Sequence, residues 1–174
     1  AESGVTVLFH VMLSAIEERA DGVLLLVTGK DGLFGIEAKN VIDATGDGNV
    51  AVMTGYSYEI SNEQQPATLT NRLGGYEFEK LNEELIRKTV SDALARGEMY
   101  SEISPDAILV WLHDHRFDMH LVCEGGADSF SKGEIEKKAR EKVANLLLFL
   151  RRIPGLEGLT VEEMCNECGI RESR

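Results

Sequence analysis

Ala44-Thr45-Gly46-Asp47-Gly48 is the stretch of this sequence whose residue types and spacing most directly suggest chemistry. Its glycines permit positive φ and close approach of a ligand to the main chain, and a helix following the turn would offer unpaired N–H groups to an anion. Such a turn could hold part of a dinucleotide, although an ordinary strand-to-helix turn accounts for the same residues. A second constellation is His113, Asp114, His115, Asp118 and His120, with Cys123 close behind. Imidazole with carboxylate suits zinc or iron, but polar turn residues between two strands give the same pattern, so no metal ligands are assigned. Cys165-x-x-Cys168 is half a zinc site or a redox pair, with packed or solvated thiols as the plainer reading. No Gly-x-Ser-x-Gly elbow is present, which removes support for a serine hydrolase.

The composition narrows the partners. The 174 residues carry 30 acidic and 18 basic side chains, a net charge of −12, which disfavours nucleic acid and anionic membrane surfaces. Residues 1–130 hold 22 acids and 9 bases, and the remainder 8 and 9, so an anion is best accommodated in the C-terminal third. No apolar run approaches the roughly 18 residues of a membrane helix, and no signal-peptide pattern opens the sequence. Three cysteines are too few and too odd for a disulfide framework and suit a reducing, cytoplasmic setting. A hydrophobic content of 43% is enough for a sizeable core.

The elements that would position these residues can be read from periodicity. Val5, Val7, Phe9, Val11 and Leu13 alternate, predicting a strand over residues 5–18. Turns at Asp21-Gly22 and Lys30-Asp31-Gly32 separate it from strands at 22–28 and 33–38, making an antiparallel meander. A short apolar strand over 40–44 then enters the glycine turn, followed by a short helix over 49–54. A strand over 67–73 and a helix carrying Phe78, Leu81, Leu85, Ile86, Val90 and Leu94, stopped by Gly97, come next. Strands are expected at 108–112 and 119–123. A long helix over 131–153 opens with a Ser131/Glu134 capping box and ends at Pro154-Gly155. A Thr160/Glu163 capping box predicts a last short helix closed by Gly169.

Four segments taken in order resemble one family. Val41 to Ala51 resembles the "vIDATGDgdvA" segment of FAD-dependent oxidoreductases with a glutathione-reductase-like flavin fold. Gln65 to Gly75 resembles the family's "QPmTlmfRlgG". Phe149-Leu150-Arg151 with Ile153 to Glu157 resembles "FLR..vPGfE", and Gly169 to Arg174 resembles "GvReSR". The resemblance implies an α+β region: an antiparallel β-meander and one further strand of an FAD-binding domain, plus a mixed strand and helix substrate cap. Residues 1–55 would belong to the FAD-binding domain, 56–160 to the cap, and 161–174 would return toward the FAD-binding domain.

The implied cofactor is FAD and the implied partner a small-molecule substrate. Ala44, Thr45, Gly46, Asp47 and Gly48 would touch the flavin, with Asp47 near its ribityl or pyrophosphate part, and the backbone around Met12 would meet adenine. Arg72, Arg171 and Arg174 would face the flavin or an anionic substrate, with surface ion pairs as the alternative. The family's G-x-G-x-x-G strand-loop-helix is missing from this sequence. The expectation is therefore an internal region of a longer oxidoreductase, retaining FAD poorly alone and prone to self-association. A self-contained acidic interaction module, or a His/Asp metal-binding domain, is the alternative class.

Overall fold

A computed structural model describes residues 4–60, 65–121, 126 and 128–170. They fall into two compact units, one within residues 1–61 and one within 62–173. Both are built from small antiparallel sheets with helices, so the fold class is α+β, as the sequence implies.

The first unit is the expected meander of β1 (Met12–Arg19), β2 (Gly22–Gly29) and β3 (Gly32–Ala38), followed by α1 (Asn49–Met53). Gly29 and Gly32 face each other at the end of the β2–β3 ladder, and Gly22 pairs with Arg19 at the end of β1–β2. A bulge between Leu13 and Ala15 interrupts the first ladder, and the Ser14 hydroxyl there meets Thr28 Oγ1 at 2.6 Å. The strand expected from Val5 begins only at Met12. Val5, Val7, Leu8 and Phe9 lie exposed without a ladder, because alternation alone supplies no partner for the backbone N–H groups. Residues 40–44 likewise form no strand, and Ile42 is 91% exposed.

The second unit has β4 (Ala67–Gly74) at the centre of a sheet, between β5 (Arg116–Leu121) and β6 (Thr160–Met164). Alternation sends Ala67, Leu69, Asn71 and Leu73 inward and Thr68, Thr70 and Arg72 outward. The inner face packs with α2 (Glu83–Ala95), α3 (Pro105–His113) and α4 (Ser129–Leu150) around Leu69, Ile86, Leu112, Phe117, Met119 and Leu146. Asn71 is the one buried polar residue in this core among the described residues; its amide donates to Leu69 O at 3.0 Å and its Oδ1 has no hydrogen-bond partner.

Two elements differ in type from the sequence expectation. Residues 108–112 are the centre of α3, not a strand. Ser104 caps the helix by accepting from Ala107 N at 3.1 Å, Pro105 opens it, and Ile108, Leu109 and Leu112 form a helical stripe. Thr160 to Glu163 has the spacing of a capping box, yet it forms β6. The free edge of β4 pairs a whole row of backbone groups, which outweighs one local cap. The long helix does form, capped by Asp128, with Ser131 closing the reciprocal box in place of the expected Ser131/Glu134 pair. The strand expected to 123 is observed to Leu121, and Cys123 lies outside the described residues.

Candidate functional site

The glycine turn is held from beneath by a carboxylate. Asp43 Oδ1 accepts the Thr45 amide at 3.0 Å and the Thr45 hydroxyl at 2.7 Å, and Oδ2 accepts Val50 N at 2.9 Å and Ala51 N at 3.3 Å. Thr45 Oγ1 in turn accepts Asn49 N at 2.9 Å. The first amides of α1 are therefore spoken for, contrary to the expectation that they would be open to an anion. The Thr45 hydroxyl and amide, with Ala51 and Val50, hold the Asp43 carboxyl below its ordinary range despite some desolvation. In the sequence Asp43 is simply a polar residue within the short strand expected over 40–44. The signal for its real part is the Asp-x-Thr spacing just before a helix, which favours side-chain-to-backbone bonding over a ladder.

Gly46 and Gly48 take φ of 84° and 62°, so left-handed backbone is the reason for glycine at both. A Cβ at either position would meet nothing within 4 Å, so the face of the turn is open. After α1, Tyr56 lies beside Glu18 on β1, and hydrogen bonding to that carboxylate, then its charge, raises the phenol's pKa. Met12 opens β1 opposite Thr28 with its side chain exposed.

The outward face of β4 forms the second polar surface. Thr68 Oγ1 meets His120 Nδ1 at 3.0 Å, Thr70 donates to Asp118 at 2.7 Å, and Arg116 pairs with Asp118 at 3.0 Å. Arg72 lies between Glu162 at 3.2 Å and Glu163 at 3.4 Å. Arg171 and Arg174 lie outside the described residues. Beside this face, Tyr76 donates to Leu112 O at 2.6 Å and stacks on His115; burial, then the Glu162 charge, pushes its pKa up to about 12.

The histidines are placed separately. His113 Nδ1 bonds Asp114 at 2.8 Å, His115 lies on Tyr76, and His120 is on β5 with Thr68. Among the described residues no three His, Cys, Asp or Glu side chains converge as a metal set. Among the described residues no helix is long and apolar enough to cross a membrane.

A meander, an Asp-braced glycine turn and a separate sheet with a polar face are thus the parts in hand. The family model for FAD dependent oxidoreductases matches residues 1–174, and the chain belongs to that family. No curated protein and no solved structure matches it.

The family's cofactor is FAD, and the atoms of the turn decide which part of it fits. A pyrophosphate does not suit the mouth of α1, where the leading amides are taken and the Asp43 carboxylate would repel it. The open left-handed glycines suit a neutral, hydroxyl-bearing chain that approaches the backbone closely.

Proposed function

We propose that this chain acts within an FAD-dependent oxidoreductase and contributes the wall of the flavin site around its ribityl chain, together with a substrate-side sheet. The observation that carries this reading is the open turn at Gly46 and Gly48, fixed on Asp43 and Thr45, in a chain of this family. Ala44, Thr45 and Gly46 would offer backbone groups, and Asp47 a carboxylate to accept a hydroxyl hydrogen. The Met12 backbone, beside the Ser14 bulge, would meet the adenine end. When bound, FAD supplies the two-electron chemistry, so the protein's tasks are binding, orientation and electrostatics.

The outward face of β4 is the proposed substrate side. Thr68, Thr70 and His120 offer hydrogen-bonding groups for a small polar molecule. Arg72 would bind an anionic group only in competition with Glu162 and Glu163, and Arg171 and Arg174 would supplement it. The test is titration of the full-length protein with FAD, followed by flavin fluorescence, for the wild type and for Gly46→Val and Gly48→Val. A Cβ on the open face should weaken binding by about tenfold or more, about 1.4 kcal/mol. Unchanged affinity in both variants, with wild-type folding, rejects the turn as a flavin contact.

A further inference from the structure

The Cys165-x-x-Cys168 pair lies on neither proposed flavin contact, and the backbone around it is unusual. Cys165 N donates to Thr70 O at 3.0 Å, while Gly169 exchanges both backbone bonds with Thr68, at 2.8 and 3.1 Å. Thr68 and Thr70 are two residues apart on β4, about 7 Å along the strand. Residues 165 and 169 are four apart, a length that would span about 13 Å if extended. The intervening chain must fold back on itself, and it does so as a bend at Asn166 and Glu167. Cys165 and Cys168 are the first and fourth residues of that bend. A four-residue return of this kind brings the Cα atoms of its first and fourth residues to within about 7 Å, close to the span of about 4.4–6.8 Å that a disulfide bridges.

The bend is clamped from the side by α4. Arg140 donates to Asn166 O at 2.8 Å, and the Glu136 carboxylate accepts the Cys168 amide and pairs with Arg140. Both thiols are free of disulfides, Cys165 exposed and Cys168 buried. Cys165 also lines an open groove of about 600 Å³ with Thr70, Arg72, Arg116 and Glu163. A pre-bent backbone, one accessible sulfur and one sheltered sulfur are the requirements for a dithiol that closes on itself.

We propose that Cys165 and Cys168 form a reversible dithiol–disulfide site that exchanges with a small-molecule disulfide. The Cys165 thiolate attacks one sulfur of the incoming disulfide; a mixed disulfide forms and the first thiolate leaves, taking up the proton Cys165 released. Cys168 then gives up its proton and attacks the Cys165 sulfur; the internal bond forms and the second thiolate leaves with that proton. Two protein thiols are oxidised and one external disulfide is reduced to two thiols. Glu136 and Arg140 are positioning residues that hold the bend.

The experiment is equilibration of the full-length protein in glutathione buffers of graded ratio, followed by thiol alkylation and peptide mapping. An internal Cys165–Cys168 bond is expected, with a closing constant at least about tenfold larger for the folded protein than for the urea-unfolded chain, because the bend is already made. Cys168→Ser should instead accumulate a stable glutathione adduct on Cys165, and Cys165→Ser should leave Cys168 unmodified in the folded state. Glu136→Ala, which removes both the acceptor of the Cys168 amide and the partner of Arg140, should reduce the folded-state advantage while a stability measurement shows the protein still folded. A folded protein that carries only adducts, or that closes no better than the unfolded chain, overturns the proposal. The readout needs no FAD, so it stands or falls separately from the flavin reading.

Discussion

Asp43 and Thr45 share two hydrogen bonds, the Thr45 amide at 3.0 Å and its hydroxyl at 2.7 Å both ending on one carboxylate oxygen. The other oxygen holds Val50 and Ala51, so one side chain ties both ends of the glycine turn to the start of α1. The turn is rigid where it touches the helix and open where its glycines face outward. On the proposed reading that combination favours a neutral ligand group over a phosphate at the helix mouth.

Replacing Asp43 with Asn keeps one acceptor and loses the other, so the Val50 and Ala51 amides should lose protection from hydrogen exchange. In the wild type the carboxyl's folded pKa is depressed below 3.8. Its contribution should be complete above that ordinary value and fade as pH falls through the lower folded one. The amide proton shifts of Val50 and Ala51 should report this single titration, and D43N should abolish it. Wild-type amide protection in D43N would refute the brace.

Gly75 and Gly158 approach backbone to backbone, and a Cβ on Gly75 would overlap the Gly158 carbonyl. Gly75→Ala should cost about 3 kcal/mol or more in urea unfolding. Gly97→Ala has an equally left-handed φ of 69° but open space around it, so it should cost only about 1 kcal/mol. Equal losses would mean that conformation, not contact, sets the requirement at Gly75.

Leu112 is fully buried on α3, and Leu148 on α4 is 57% exposed. Leu112→Ala should lower stability by about 2–5 kcal/mol, and Leu148→Ala by no more than about 0.5 kcal/mol. Denaturant melts of the two variants compare them directly. A small loss for Leu112→Ala would contradict the helical stripe assigned to residues 108–112.

Asn71 is buried in the core with one orphaned oxygen. Asn71→Asp would place a charge there, and burial should raise that carboxyl's pKa. The variant should be about 3 kcal/mol less stable than wild type at pH 7, with the gap shrinking as pH falls toward about 4 and the acid becomes neutral in both states. A gap independent of pH would show that the charge reaches water.

The meander was legible because its turns carry glycines at the residues that need them, Gly22 and Gly32, and its apolar runs are short. α4 was legible from its helical stripe of apolar residues, and β4 from a weak alternation leading into the Gly74-Gly75 turn. Residues 108–112 were not, because a five-residue apolar run fits either element, and the deciding signal is the Ser104-Pro105 start just before it. β6 was hidden because a sheet edge distant in sequence recruits it. At the site, the glycine turn was visible, but the role of Asp43 depends on amides seven and eight residues on, which only the fold brings to it.

The central claim is that this chain works with FAD, and its most direct test is the visible absorption spectrum of the full-length protein, with the released chromophore identified. The account predicts a flavin spectrum and FAD on release. A colourless protein that takes up no added FAD would contradict it.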